Sequence, residues 1–397
     1  MAESKIKYIL LVSDGMADRP LEQLDGKTPM QVARKPYMNY LAKNGRVGAL
    51  QSIPEGFSPG SDVAAMTLLG YDPRKYYTGR APIEAVSMEI PLEKSDIAFR
   101  CNLVSSDGNN MVDYSGGHVT TEESQEMINY VNSRLGTHKI KFYPGISYRH
   151  IMVWSGGSPD VNTTPPHDIT GKPLEGNLPV GDGDETLRRL IFDSLELLDN
   201  HPINQRRRDA GKNPANMIWL WGQGRALDIP NFLAKTGKTG SVIAAVDLIK
   251  GLGKAAGLKV PTVPGVTGYL DTNFEGKAQY ALDALKERDF VFVHVEAPDE
   301  AGHNGDLDAK IEAIENVDKR TLGPIMEGMK GQKFRIIVTP DHVTPISIRT
   351  HASDTIPFTI FSSFEPAGTN LPFDERAVPE TALRVEEGYK LMDLLLK

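Results

Sequence analysis

The chain has 397 residues, 44 of them basic and 52 acidic, for a net charge of −8. That balance argues against a protein whose main business is coating nucleic acid. A single cysteine, Cys101, excludes an internal disulfide framework.

At about 150 residues per domain, the length suggests two or three domains. The first apolar run, Tyr8–Val12, is too short for a signal-peptide core or a membrane helix. No other run approaches about 18 apolar residues, so a cytoplasmic enzyme without membrane contact is expected. The run reads as a strand and ends at Ser13-Asp14-Gly15. In Phe57–Pro73, Gly60 offers a tight turn, helical spacing starts at Ser61, and Gly70 is placed to stop the helix. Ser61 then sits at a helix N-terminus, where free N–H groups favour an anion, although a plain N-cap serine is the commoner use of that position.

From about Ile83 to Gly183 the pattern is shorter and more broken, and Pro and Gly cluster between Ser155 and Asp184. This predicts a smaller α+β domain, residues 81–185, inserted into an α/β domain made of 1–80 and 186–397. Asn216–Trp221 and Gly240–Val246 read as further strands, and Lys277–Lys286 as a helix. Phe290–Val295 is a strand leading into Glu296-Ala-Pro-Asp299, and Phe334–Thr339 another leading into Pro340-Asp341-His342. Ala382–Leu396 reads as a closing helix. Strands alternating with helices imply α/β architecture, and the continuous apolar runs suit a parallel sheet buried on both faces.

Gly237-Lys-Thr239 and Gly26-Lys-Thr28 are not phosphate loops, because Phe232 and Leu21 stand where the first glycine is required. The chemistry lies elsewhere. Asp299 and His303, four residues apart, share a face if the segment is helical. Asp14 and Asp341-His342 end two other strands, and His351 follows nine residues after His342. Open α/β sheets gather their sites beyond the carboxyl ends of strands. Singly, each aspartate is an ordinary turn residue. Three acidic strand ends, two with nearby histidines, instead suggest carboxylate and imidazole ligands for divalent ions, enough for two.

Five motifs occur in order: Ser13-Asp-Gly-Met-Ala-Asp18, Pro59-Gly-Ser-Asp-Val-Ala64 with Leu68-Leu-Gly-Tyr-Asp-Pro73, Trp219-Leu-Trp-Gly-Gln-Gly224, Pro298-Asp-Glu-Ala-Gly-His303, and Asp341-His-Val-Thr-Pro345 with His351. Together they resemble the archaeal-type, cofactor-independent phosphoglycerate mutases of the alkaline phosphatase superfamily. The resemblance implies an alkaline-phosphatase-like domain, with a mostly parallel central sheet and helices on both faces, and a smaller inserted α+β substrate domain. It implies interconversion of 3- and 2-phosphoglycerate in glycolysis and gluconeogenesis, without 2,3-bisphosphoglycerate. Ser61 would be the nucleophile that becomes phosphorylated, with glycerate reorienting in a closed cleft. Asp14, Ser61, Asp341 and His342 would hold one metal ion, and Asp299, His303 and His351 the other. Mn²⁺ is the first expectation, with Zn²⁺, Co²⁺ or Mg²⁺ as alternatives.

A substrate phosphate and carboxylate call for cationic side chains, preferably arginine. The candidates are Arg100, His118, Arg149 and the His167-Asp168 pair in the inserted domain, and Lys250 in the larger one. The same metal–serine core also serves phosphopentomutases, phosphatases and homoserine-kinase-like phosphotransferases, although the last would need a phosphoryl donor for which no nucleotide loop is found.

Overall fold

The computed structural model describes residues 5–365 and 367–397. The chain forms two compact units, one running up to Tyr77 and resuming over Ile229–Lys397, the other spanning Thr78–Asp228.

The larger unit is built on a seven-stranded sheet. Its strands are β1 (Lys7–Ser13), β2 (Arg46–Leu50), β3 (Gly240–Ile243), β4 (Phe290–Val295), β5 (Phe334–Thr339), β6 (Ile356–Ser362) and the short β7 (Arg384–Val385). They lie in the order β3-β4-β1-β5-β6-β2-β7. Only β6 runs antiparallel to its neighbours; the other pairings are parallel. β4 is buried at every residue and β1 from Tyr8 onward, as apolar runs of this kind require in a parallel sheet. The three expected acidic strand ends therefore belong to adjacent strands, β4-β1-β5, and meet at one carboxyl edge.

The helices that serve this edge are α1 (Ser61–Leu68), α2 (Asp247–Ala255), α3 (Phe274–Glu287), α4 (Ala297–Asn304) and α5 (Leu307–Asn316). Gly70, with φ of 85°, turns the chain just after α1, as the sequence suggests. No helix of the described residues is long and apolar enough to cross a membrane. The closing helix is shorter than expected, Leu391–Leu396. The residues before it pair instead along β2: the N–H groups of Ala49 and of Gln51, just past the strand, donate to the Leu383 and Val385 carbonyls.

The smaller unit holds a five-stranded sheet. Its central strand, Asp96–Ser106, pairs antiparallel with Arg149–Ser155 on one side and Met217–Arg225 on the other. The last of these, expected in the α/β domain with everything beyond residue 186, belongs here. Its pairing runs from Ile97 to Val104, and its Trp219 and Leu220 are fully buried in this unit's core. The structure thus draws the boundaries at 78 and 228 rather than at 81 and 185. A strand contributed after a long helical excursion (Asp184–Asp209) looks, in sequence, like a return to the first domain.

Candidate metal and nucleophile site

β1 ends at Ser13 and delivers Asp14 into the edge, almost fully buried. The next residue must be glycine. Gly15 has φ of 58°, and a Cβ there would lie 2.5 Å from Asp299 Oδ1 and 2.6 Å from Thr344 Oγ1. Its N–H donates to Asp341 Oδ1 at 3.0 Å, tying the β1 turn to the β5 turn. The same oxygen accepts the His342 N–H at 2.9 Å. Lys310 of α5, fully buried, adds a second tie, donating to Asp18 Oδ2 and the Thr344 carbonyl, each at 2.7 Å.

α4 follows β4 directly and carries Asp299 and His303 one turn apart, so they share a face as predicted. His303 Nε2 lies 3.2 Å from Asp299 Oδ2, and His351 Nε2 lies 3.5 Å from Asp299 Oδ1. The two imidazole Nε2 atoms approach each other to 2.9 Å. His303 Nδ1–H donates to the Arg349 carbonyl at 3.1 Å, which turns Nε2 toward Asp299 and His351.

The second group gathers around His342 Nε2. It lies 3.4 Å from Asp14 Oδ1, 3.4 Å from Asp341 Oδ2 and 3.2 Å from Ser61 Oγ. Thr344 decides its tautomer. The threonine hydroxyl donates its one proton to Asp299 Oδ1 at 2.5 Å, so at 3.1 Å from His342 Nδ1 it accepts. His342 therefore carries its proton on Nδ1 and turns a lone pair toward two carboxylates. Asp14 Oδ1 and Asp341 Oδ2 are themselves buried, without hydrogen bonds among the described residues. Lone pairs converging on one point repel unless a cation stands among them.

The charges show the same imbalance. Burial, then the neighbouring Asp341, Asp299 and Glu296, hold the Asp14 carboxyl well above its ordinary range. Burial also pushes up on Asp299, but hydrogen bonds from His303 and His351 outweigh it and hold that carboxyl well below. Burial pulls on His303 too, yet its bond to Asp299 raises it to about 9. His342 is held low by burial. Mixed carboxylate and imidazole donors of this kind suit a divalent transition ion. Among the described residues, three sets of donor atoms lie close enough together for ligation: Asp299-His303-His351, Asp14-Asp299-His342 and Asp14-His294-Asp341.

Ser61 is the first residue of α1, and its Oγ donates to Asp14 Oδ2 at 3.4 Å. All seven candidate positions of the metal and nucleophile set thus meet at one edge of the larger unit. Two neighbours were missed. Thr344 lies inside a quoted motif, two residues past His342. His294 is a lone imidazole near the end of an apolar strand, with Nε2 3.1 Å from Asp14 Oδ2. Its polar ring in a buried run was the available signal.

The substrate candidates divide. Lys250, in α2 of the larger unit, is partly exposed and lies 3.5 Å from Asp247. In the smaller unit Arg100 is buried, 3.0 Å from Glu84 Oε2, with its guanidinium 4.4 Å from the ring centre of Trp221. Burial lowers it to about 10, with Glu84 opposing and Arg80 and Arg149 adding to the fall, which places those two arginines nearby. His167 packs on Trp221 and on Tyr114, and its neighbour Asp168 is exposed. Arg149 is exposed at a strand start, and exposed His118 occupies a turn with φ of 51°. Arg100, Arg149 and the His167-Asp168 pair therefore share a neighbourhood centred on Trp221; no contact joins His118 to it among the described residues. Glu84 and Trp221 were not singled out beforehand, although Trp221 stands in a quoted motif.

Three kinds of comparison bear on this site. The family model described as 2,3-bisphosphoglycerate-independent phosphoglycerate mutase matches residues 42–204. A relative of that name from Methanosarcina acetivorans is 48% identical, the match covering 99% of this chain and 100% of the relative. One from Geobacter sulfurreducens, named as a probable enzyme of the same kind, is 49% identical over 98% and 100%. Among solved structures, a protein of Pyrococcus horikoshii superposes with a TM-score of 0.83 at 30% identity, covering 99% of this chain and 97% of that one. The cofactor-independent phosphoglycerate mutase of Thermoplasma acidophilum does so with a TM-score of 0.65 at 27% identity, covering 99% of both chains.

Proposed function

The chain belongs to the 2,3-bisphosphoglycerate-independent phosphoglycerate mutases, isomerases of 3- and 2-phosphoglycerate, and we propose that it works through a phosphoserine formed on Ser61. The observation that carries this reading is the position of Ser61 Oγ, within 3.4 Å of both Asp14 Oδ2 and His342 Nε2, the nitrogen that Asp14 Oδ1 and Asp341 Oδ2 also approach to 3.4 Å.

Asp14, Ser61, Asp341 and His342 would hold one divalent ion, and Asp299, His303 and His351 the other. Bound there, two such ions acidify the serine hydroxyl and offset the charge of the phosphoryl oxygens. Mn²⁺ is our first choice, on the mixed oxygen and nitrogen donor set. The chain's own groups do the rest. Asp14 orients the Ser61 hydroxyl and stands ready to take its proton. Ser61 Oγ attacks phosphorus; the Oγ–P bond forms as the bond from phosphorus to the 3-oxygen of glycerate breaks. The proton taken from Ser61 passes to the departing 3-oxygen; glycerate then presents its 2-hydroxyl, the 2-oxygen–P bond forms as the Oγ–P bond breaks, and the 2-hydroxyl proton returns to Ser61. Water must be kept out between these steps, or hydrolysis of the phosphoserine makes the enzyme a phosphatase. In the smaller unit, Arg100 and Arg149 are the residues we assign to the substrate's anionic groups. We assign the enzyme to glycolysis and gluconeogenesis in the cytoplasm, on the family's reaction.

An enolase-coupled assay tests the reading, with 3-phosphoglycerate and Mn²⁺, no 2,3-bisphosphoglycerate and an EDTA control. Turnover abolished by EDTA is expected, with mass-spectrometric capture of phosphate on Ser61 after an acid quench. Turnover with the phosphate on another residue would sink the phosphoserine assignment.

A further inference from the structure

His294 stands in β4 directly beside Val12 of β1, so the adjacent strand carries an imidazole alongside the start of the Asp14 turn. The ring is 1% exposed. Phe292 lies parallel to it, and Lys277 of α3, itself fully buried, donates to the His294 carbonyl at 3.0 Å. Among the described residues neither ring nitrogen makes an aligned hydrogen bond, and Asp14 Oδ2 faces Nε2 at 3.1 Å.

The two oxygens of Asp14 face different imidazoles. Oδ1 faces the His342 lone pair at 3.4 Å, the side where an ion fits. Oδ2 faces His294 and also accepts from Ser61 Oγ at 3.4 Å. We propose that His294 is a positioning residue for Asp14: its Nε2–H engages Oδ2 and so turns Oδ1 toward the ion and Oδ2 toward the nucleophile. This rests on the assignment of Asp14 as a metal ligand. A group that orients a ligating carboxylate typically changes metal affinity 10- to 100-fold when removed, even though it never touches the ion.

The test titrates the metal-stripped full chain with Mn²⁺, reading free ion by electron paramagnetic resonance. It uses wild type, His294→Leu, His294→Gln and Asp14→Asn. In His294→Leu, one of the two ions should bind about 10- to 100-fold more weakly. The glutamine amide N–H reaches a similar distance, so His294→Gln should recover most of that affinity. kcat should follow occupancy and recover with excess Mn²⁺, while KM for 3-phosphoglycerate stays near wild type. Thermal unfolding of the metal-free forms checks the fold, and should His294→Leu fail to fold, His294→Gln and His294→Asn carry the test. Wild-type affinity at both sites in His294→Leu, with one site lost in Asp14→Asn, overturns the positioning role alone. A drop in the number of imidazole nitrogens coupled to Mn²⁺ in His294→Gln also overturns it, by making His294 a ligand. Two ions bound normally by Asp14→Asn would overturn the ligand assignment and this inference with it.

Discussion

The carboxyl edge of the larger sheet and the arginine cluster of the smaller unit both concentrate charge, and they balance it in opposite ways. At the edge, Asp14, Asp299 and Asp341 crowd together with several imidazoles, and among the described residues two of their carboxylate oxygens have no hydrogen-bond partner. Around Arg100, the chain supplies the counter-charge itself, with Glu84 at 3.0 Å and the Trp221 face at 4.4 Å. The first region has more buried carboxylate oxygens than partners for them. In the second a counter-charge is already in place, so an anionic ligand must compete with Glu84 for the guanidinium. A site of the first kind should fail outright when a part is removed. One of the second kind should fail by degrees.

The largest effect should come from the nucleophile. Ser61→Ala should lower kcat by about 10⁴-fold or more in the coupled assay, since loss of a covalent nucleophile is of that order. Binding of the Asp299-His303-His351 ion should persist. Residual turnover within tenfold of wild type would make the edge a binding site and erase the contrast. Next is removal of the ions with EDTA. Several kcal/mol of charge stabilisation is at stake, so turnover should fall at least about 10³-fold and return with Mn²⁺.

Arg100→Lys sharpens the other side. A lysine keeps the charge but loses the planar fork and its stacking on Trp221. KM for 3-phosphoglycerate should rise about ten- to hundredfold, the worth of one charged hydrogen bond, with kcat changed less. A fall in thermal stability with KM unchanged would make Arg100 a structural residue held by Glu84.

The two regions also differed in how well the sequence revealed them. The ligand edge was readable because three of its segments are strand ends, and because Asp299 and His303 have helical spacing. A parallel sheet then puts β4, β1 and β5 side by side without further information. His294 and Thr344 escaped because their roles depend on partners 280 and 45 residues away, Asp14 and Asp299, that only the folded register supplies. The arginine cluster was half readable. Arginine types suit anions, but Glu84 and Trp221 reach Arg100 through a helix and an antiparallel strand remote in the chain. That same strand misled the domain boundary, since a short apolar run does not declare which sheet it joins.

The smallest effect concerns protons at the outer ion position. In the ion-free chain His303 is raised to about 9 by its bond to Asp299, so at neutral pH it is charged. A ligand imidazole must be neutral, so ion binding there expels that proton, and apparent affinity should fall up to about tenfold per pH unit below 9. Stability of the ion-free fold runs the other way. A histidine raised on folding contributes stability that is complete below its unfolded value, near 6.5, and is lost as pH climbs toward 9. Asp299, held low, is ionised throughout this window. The gap in unfolding temperature between the Mn²⁺-loaded and stripped protein should therefore widen steadily from pH 6.5 to 9. Differential scanning calorimetry at fixed free Mn²⁺ measures it, and a constant or narrowing gap would show that His303 is not an ion ligand.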